Sequence, residues 1–175
     1  MRYVALPRGI NVTGSNMIRM TELKSAFEAL GFKNVVTYIN SGNLAFDTTK
    51  TSETTLVKKI APILEKMAGR PISVMVREQK DIEGVLKNNP FDGQYESHKE
   101  MHVLFLEREI TDDQLAKVRA AAPKEERFVA KGREMYLHLP MGVAESVMGR
   151  GLIEKKLKIA VTARNWRTVE KLATL

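Results

Sequence analysis

Residues 2–47, RYVALPRGINVTGSNMIRMTELKSAFEALGFKNVVTYINSGNLAFD, contain the pattern that decides the fold of this protein. Residues 2–6 have the apolar composition of a β-strand. After a polar loop, apolar side chains between residues 23 and 30 recur at three- and four-residue spacing, the period of an α-helix, and Gly31 ends the pattern. The chain therefore begins with a strand followed by a helix.

A β-hairpin and a second strand-helix pair follow this first unit. Residues 34–39 and 44–47 are rich in β-branched and apolar side chains and flank the turn sequence Ser41-Gly42-Asn43. Residues 56–67 have helical periodicity, which Pro62 is expected to kink or split, and residues 72–77 indicate another strand. The resulting order, βαββαβ, is that of a ferredoxin-like fold with two helices on one face of an antiparallel sheet.

The second half of the sequence nearly repeats this order of elements. A helix over residues 79–87 precedes a strand over 101–107, and Thr111 to Gln114 is a capping box that opens a further helix. Residues 127–139 predict a second hairpin around Gly132. No closing strand is evident, and a terminal helix is expected from about Arg164.

The fold class predicted from these patterns is α+β. It comprises two ferredoxin-like halves with antiparallel sheets and helices on one face, and the second half is altered and ends in a C-terminal helix. The halves are predicted to span residues 1–78 and 79–175 within one compact unit, because 175 residues suffice for a sizeable core.

The composition limits the classes of function. There are no cysteines, which excludes disulfides, thiolate metal sites and a cysteine nucleophile. No stretch approaches the roughly 18 apolar residues of a membrane span, so we expect a cytoplasmic protein with no membrane partner. The net charge is +7 and is concentrated toward both ends of the chain, which favours phosphate or carboxylate ligands over cationic ones, although an ordinary solvated basic surface has the same composition.

The ferredoxin-like connectivity places several polar loops at one edge of the first sheet. The loop after the first strand, the turn between strands two and three, and Gly69-Arg70 before strand four should all lie there. We therefore predict a ligand site formed by residues 8–16 and 40–43, where glycines allow close backbone approach and arginines bind anions. Glycine, asparagine and serine are also the ordinary residues of turns, so a purely structural role remains an alternative.

Motifs along nearly the whole chain give it a resemblance to a known family. Residues 162–169 (TARNWRTV) close the chain, and residues 89–91 and 136–140 fit the middle. The N-terminal motifs are LPRGINV at 6–12, MTELKSAFEALGF at 20–32 and YINSGN at 38–43. Together they resemble the bacterial family known as domain of unknown function 1697.

The resemblance implies positions for a site but no chemistry, because the function of that family is not established. The polar signature residues that it places in this sequence, all taken as candidate ligand-binding residues, are Arg8, Asn11, Ser41, Gly42, Asn43, Arg164, Asn165 and Trp166. Departures from the family pattern are Pro7, Thr13, Arg19 and Arg167.

The C-terminal motif has two interpretations. With Thr162 as the helix N-cap, Arg164 and Asn165 would lie in the first helical turn, where unpaired backbone N–H groups attract anions. Trp166 at helical spacing from Val169 is more typical of a core anchor than of a stacking platform.

The sequence does not identify a catalytic group, and whether the protein is an enzyme stays open. His98 and His102 are four residues apart, but His102 begins a strand, so no metal site is expected; His138 also falls on a strand. Ser41 lacks the sequence context of an activated nucleophile. No phosphate-binding or dinucleotide-binding glycine motif is present, and no cofactor is expected.

Three functions remain open on these grounds. The first is binding of an anionic small molecule or nucleic acid, in particular a nucleotide or nucleic-acid segment, at the edge formed by residues 8–16 and 40–43. The second is an enzyme acting on a small phosphorylated or carboxylated metabolite. The third is a structural or protein-interaction module whose polar motifs tie the loops together. The oligomeric state cannot be inferred from the sequence.

Overall fold

A computed structural model describes residues 1–12, 14 and 17–175 of the chain. Within these residues the chain forms six α-helices, one short 3-10 helix and two four-stranded antiparallel sheets. Two compact units are present: Met1–Gly84 together with Lys171–Leu175, and Val85–Glu170. The division of the chain into halves at residues 1–78 and 79–175 stays a prediction.

The first unit has the ferredoxin-like order βαββαβ. Its six elements are β1 Arg2–Pro7, α1 Met20–Ala29, β2 Lys33–Tyr38, β3 Asn43–Asp47, α2 Glu53–Ala68 and β4 Val74–Glu78. The sheet has the strand order β2-β3-β1-β4. Strand β1 pairs antiparallel with both β3 and β4, and β2 pairs with β3 at the sheet margin.

One apolar core joins both helices to the same face of this sheet. Alternate strand residues such as Tyr3, Ala5 and Phe46 pack with Phe27 of α1 and Ile60 of α2. The aromatic rings of this cluster are in contact, with ring centroids 5.6 Å apart for Phe27 and Phe46. Two-residue spacing on the strands and three- to four-residue spacing on the helices therefore generate one buried layer.

Helix α2 passes through Pro62 without interruption, so the expected split does not occur. Pro62 lies on the exposed side of the helix, where water can solvate the carbonyl that loses its backbone donor. The side chain of Ser52 accepts a hydrogen bond from Thr55 N at the start of α2, and Gly69 ends the helix in the left-handed conformation.

The elements that lie wholly in the second unit are β5 Met101–Leu106, α4 Asp112–Ala121, β6 Arg127–Lys131, β7 Glu134–His138, the 3-10 helix Val143–Glu145, α5 Leu152–Leu157 and β8 Val161–Asn165. Helices α3 Gln79–Lys87 and α6 Trp166–Leu172 each cross a boundary between the two units. The second sheet repeats the arrangement of the first with the strand order β6-β7-β5-β8. Its face carries α4 and α5, which pack on residues such as Leu104, Leu137 and Val161. The predicted capping box of α4 is confirmed, because Thr111 and Gln114 make both reciprocal bonds.

The predicted fold of two ferredoxin-like halves is confirmed, and the second half is more complete than expected. Strand β8, which pairs with β5 from His102↔Asn165 to Leu106↔Val161, closes the sheet in the position that β4 occupies in the first unit. The terminal helix begins at Trp166 and not at about Arg164. Arginine and asparagine have little intrinsic strand preference, so the pairing with β5 decides the conformation of this segment.

Among the described residues, no helix combines the length and apolar character that crossing a bilayer requires.

Candidate functional site

Three connections of the first unit meet at one edge of its sheet, as the connectivity predicted. Asn11 joins two of them: its Nδ2 donates to the carbonyls of Ile18 at 2.8 Å and Asn40 at 2.9 Å. Its Oδ1 accepts a hydrogen bond from the backbone N–H of Ile18 at 2.6 Å. One side chain therefore fixes both ends of the loop between β1 and α1 and attaches that loop to the β2–β3 turn.

The third connection, between α2 and β4, contacts the same loop. Arg70 Nη2 donates to the carbonyl of Gly9 at 2.6 Å, and the backbone N–H of Arg8 donates to the carbonyl of Ser73 at 2.8 Å. We call the described residues 8–12, 17–19, 39–43 and 69–73 the loop edge. Thr13, Ser15 and Asn16 belong to the predicted site range 8–16 but lie outside the described residues.

Gly42 allows the two loops to approach closely. It has a φ of 84°, and a Cβ atom at this position would collide with the side chain of Ile10. Ile10 is 2% exposed, so its position cannot shift without disturbing the core. Gly42 is therefore required by packing and by its backbone conformation.

Ser41 and Asn43 hold the β2–β3 turn from within. Asn43 is fully buried, and its Nδ2 donates to the carbonyl of Tyr38 and to Ser41 Oγ, both at 3.0 Å. A buried amide with such bonds orders the turn, and removing it would take this donor away from the Tyr38 carbonyl and the Ser41 hydroxyl. The site residues Asn11, Ser41 and Asn43 thus use polar atoms to build the loop edge.

The exposed charges of the loop edge are arginines. Arg8, Arg19 and Arg70 are all exposed to solvent. Arg19 is the N-cap residue of α1 and makes no side-chain cap bond, and backbone N–H groups of the first helical turn point out of the helix. Glu22 is the carboxylate in that turn. In the sequence, Arg19 stands out only as a departure from the family pattern.

The C-terminal motif lies in the second unit, where its side chains contact other residues of the same unit. Arg164 on β8 is 8% exposed; its Nη1 donates to Thr162 Oγ1 at 2.7 Å and to the carbonyl of Ala163 at 2.9 Å. Burial lowers the pKa of Arg164 from 12.5 to about 10, so the guanidinium remains charged at neutral pH.

Asn165 and Trp166 begin helix α6. The Oδ1 atom of Asn165 accepts a hydrogen bond from the backbone N–H of Thr168 at 2.9 Å, which is the contact of an N-cap. The prediction that Thr162 caps the helix and that Arg164 and Asn165 lie in its first turn is therefore wrong. Trp166 is 6% exposed and packs edge-to-face on Tyr95, in agreement with a core anchor.

A second buried arginine, Arg77, was not predicted from the sequence. Arg77 lies on β4 and is paired with Val4 on β1. Arg164 lies on β8, the corresponding strand of the second sheet, and is paired with Val103 on β5. Arg77 is 2% exposed, and its Nη1 donates to the carbonyl of the preceding residue at 2.9 Å, as Arg164 does. The shared register, which emerges only from strand pairing, is the signal that relates the two residues.

The three histidines have separate environments in the second unit. His98 Nε2 lies 3.0 Å from a carboxylate oxygen of Glu170 at the surface. His102 is 7% exposed, and burial lowers its pKa below 6.5. His138 is on β7 as predicted, with Nδ1 3.0 Å from Arg127 Nη2 and Nε2 3.7 Å from a carboxylate oxygen of Glu100.

These observations define a protein made of two ferredoxin-like units, of which the first has a hydrogen-bonded loop edge that carries exposed arginines. The chain belongs to the family described as "Protein of unknown function (DUF1697)", whose model matches residues 1–136. The fold is similar to that of the conserved bacterial protein SP0830 from Streptococcus pneumoniae, with 27% sequence identity and a TM-score of 0.72 over 99% of this chain and 97% of that one. No curated protein matches the chain.

Proposed function

We propose that this protein binds an anionic ligand, a nucleotide or a nucleic-acid segment, at the loop edge. The observation that carries the proposal is the set of bonds from Asn11 and Arg70 that joins described residues of three loops at one surface. On this surface Arg8, Arg19 and Arg70 are exposed. Side-chain bonds between the loops reduce the conformational entropy that is lost when the surface contacts its ligand.

The residues of the loop edge divide into supporting and contacting groups. Asn11, Ser41 and Asn43 support the loops, since their amide and hydroxyl groups bond to neighbouring protein atoms. The arginines supply the contacts, because a guanidinium presents several N–H donors in a plane that matches phosphate or carboxylate oxygens. The N-terminus of α1 adds positive potential close to Ile18, whose backbone N–H donates to Asn11 Oδ1.

The proposal assigns Arg164, Asn165 and Trp166 to the support of the second unit rather than to ligand contact. Each uses its polar or aromatic group within that unit, as a strand bond, a helix cap and a ring contact. The proposal further places the ligand-binding activity in the cytoplasm.

The test compares the binding of ATP and a short single-stranded RNA to the wild type, Arg8→Gln and Arg19→Gln. Lys58→Gln is the matched control, since Lys58 is an exposed cation on α2 away from the loop ends. We expect each arginine variant to weaken binding by about tenfold, as for the loss of one charge-assisted hydrogen bond, with the melting temperature of Arg19→Gln close to that of the wild type. Affinity should fall as salt increases.

The proposal fails if neither ligand binds at low salt, or if the arginine variants bind as well as Lys58→Gln.

A second candidate function is that of a protein-interaction module. It is favoured by the side-chain hydrogen bonds through which Asn11 and Asn43 hold the loops together. Capture of a partner protein that requires Asn11, in the absence of any binding to ATP or RNA, would support that alternative.

A further inference from the structure

A basic cleft, separate from the loop edge, lies entirely within the Val85–Glu170 unit. It has a volume of about 400 Å³ and lies beside the connection between α4 and β6. Its charged lining consists of Arg119, Lys124, Arg127 and the carboxylate of Glu126. Three cations and one carboxylate give this lining a formal charge of +2.

Arg127 is held in a defined orientation at the cleft. Its Nη2 lies 3.0 Å from Gln94 Oε1 and 3.0 Å from His138 Nδ1, and its Cζ is 4.9 Å from the centre of the Phe91 ring. A guanidinium can only donate, so Nδ1 of His138 is the acceptor in its contact with Arg127. These contacts fix an exposed arginine that would otherwise sample many rotamers.

Arg119 has a similar arrangement in the same cleft. Its Cζ lies 4.8 Å from the centre of the Phe128 ring, and its Nη2 is 3.4 Å from the Phe128 carbonyl. Phe91 and Phe128 are 6% and 4% exposed, so each buried ring supports one exposed guanidinium. Lys124, also exposed, adds a third cation to the cleft.

Glu126 and several apolar residues form the remaining surface. Glu126 is 4% exposed, and its Oε1 accepts a hydrogen bond from the backbone N–H of Met148 at 3.2 Å, which fixes the carboxylate at the cleft wall. Ala122, Pro123 and Val129 supply apolar lining. The cleft therefore combines positive charge, one acceptor and apolar surface.

We propose that this cleft binds a small phosphate monoester, with the phosphate held by Arg119, Lys124 and Arg127. A guanidinium bonds a phosphate through two N–H groups, and two ring-supported arginines in one cleft suit a compact dianion better than a single carboxylate. The organic part of the ester would lie on the apolar lining, with a hydroxyl or amine donating to Glu126. A volume of about 400 Å³ is in the range of small-molecule sites, which are typically about 300 to 1,000 Å³.

The test uses the full-length protein and three probes: AMP, glucose 6-phosphate and inorganic phosphate. Binding is measured by isothermal titration calorimetry, and the site is located from amide chemical shifts in ¹⁵N-labelled protein. We expect at least one ester to bind at least tenfold more tightly than inorganic phosphate and to shift the amides of residues 119–129. Arg119→Gln and Lys124→Gln should each weaken that binding by about tenfold.

Matched controls separate the cleft from general surface charge and from the loop edge. Arg108→Gln and Lys117→Gln remove exposed cations of the same unit that do not line the cleft, and both should retain wild-type affinity. Arg119→Lys keeps the charge but loses the planar donor set, so it should retain only part of the affinity.

Several results would overturn the proposal. These are binding of neither ester, equal affinity for inorganic phosphate and the esters, or affinity that is the same in Lys124→Gln and Lys117→Gln. Ester binding that is lost in Arg8→Gln and retained in Arg119→Gln would place the ligand at the loop edge, which contradicts the cleft assignment and supports the function proposed above.

Discussion

Replacement of Asn11 tests whether one amide side chain holds the loop edge together. Asn11→Ala removes three hydrogen bonds, two from Nδ2 and one to Oδ1. Each hydrogen bond contributes about 0.5 to 1.5 kcal/mol to stability, and the lower half of this range applies because Asn11 is only partly buried. The loss of the three bonds therefore costs about 2 kcal/mol. Asn11 also has a φ of 57°, where alanine costs about 1 kcal/mol more. We expect a total loss of about 3 kcal/mol in the free energy of unfolding.

Asn11→Gly separates the two contributions. Glycine removes the same hydrogen bonds but tolerates positive φ, so the loss should be about 1 kcal/mol smaller than for alanine. Asn34→Ala is the matched control, because Asn34 also has a positive φ, of 48°, but is exposed, and its one side-chain donation is to Asp47 Oδ2 at 2.8 Å. Its loss should be smaller than that of Asn11→Ala.

The assay is urea unfolding followed by circular dichroism, together with amide hydrogen exchange. The backbone N–H of Ile18 donates to Asn11 Oδ1, so its protection should fall in both Asn11 variants and persist in Asn34→Ala. Unchanged stability in Asn11→Ala, or undiminished protection of Ile18, would refute the conclusion that this side chain joins the loops.

Three further predictions concern single residues. Gly42→Ala should lower the melting temperature because its Cβ collides with Ile10, and Ile10→Val should partly restore it; a melting temperature equal to that of the wild type would contradict the close approach. Burial lowers the pKa of His102 below 6.5, so neutral His102 contributes stability that is present above the unfolded pKa and is lost as pH falls through the folded pKa. His102→Gln should therefore reduce the dependence of the free energy of unfolding on pH in this range. Asn165→Ala should lower the free energy of unfolding in urea by about 1 kcal/mol, because it removes the cap on the Thr168 N–H. Asn165→Asp keeps a capping oxygen and should retain most of that stability.

Local sequence patterns predict most of the fold because the elements of each unit follow one another directly. Helix α4 begins at its capping box, and α3 has the predicted range 79–87. The exception is β8, whose five residues include Arg164 and Asn165. Strand conformation there depends on hydrogen bonds to β5, more than 50 residues earlier in the chain. Such distant pairing leaves no periodic signal in the segment itself.

Connectivity predicts the location of the loop edge, but it does not predict what each side chain does there. Asn11 and Arg8 are both polar residues of one loop, and the sequence predicts the same ligand-binding role for both. The structure shows the Asn11 side chain bonded to two loops, which is a supporting role that the sequence does not reveal. Which carbonyl groups lie within hydrogen-bond distance of Asn11 is a property of the folded backbone.

The sequence by itself determined the two ferredoxin-like halves, since apolar periodicity, glycine turns and caps act between residues close together in the chain. It also determined that the first-unit loops share one edge, because strand direction follows from the order of elements. Only the tertiary structure decided that Arg164 is a buried strand residue, that Asn165 caps α6, and that Arg119 and Arg127 line one cleft. These features depend on contacts between segments distant in sequence, whose free energy of burial and hydrogen bonding exceeds local preference.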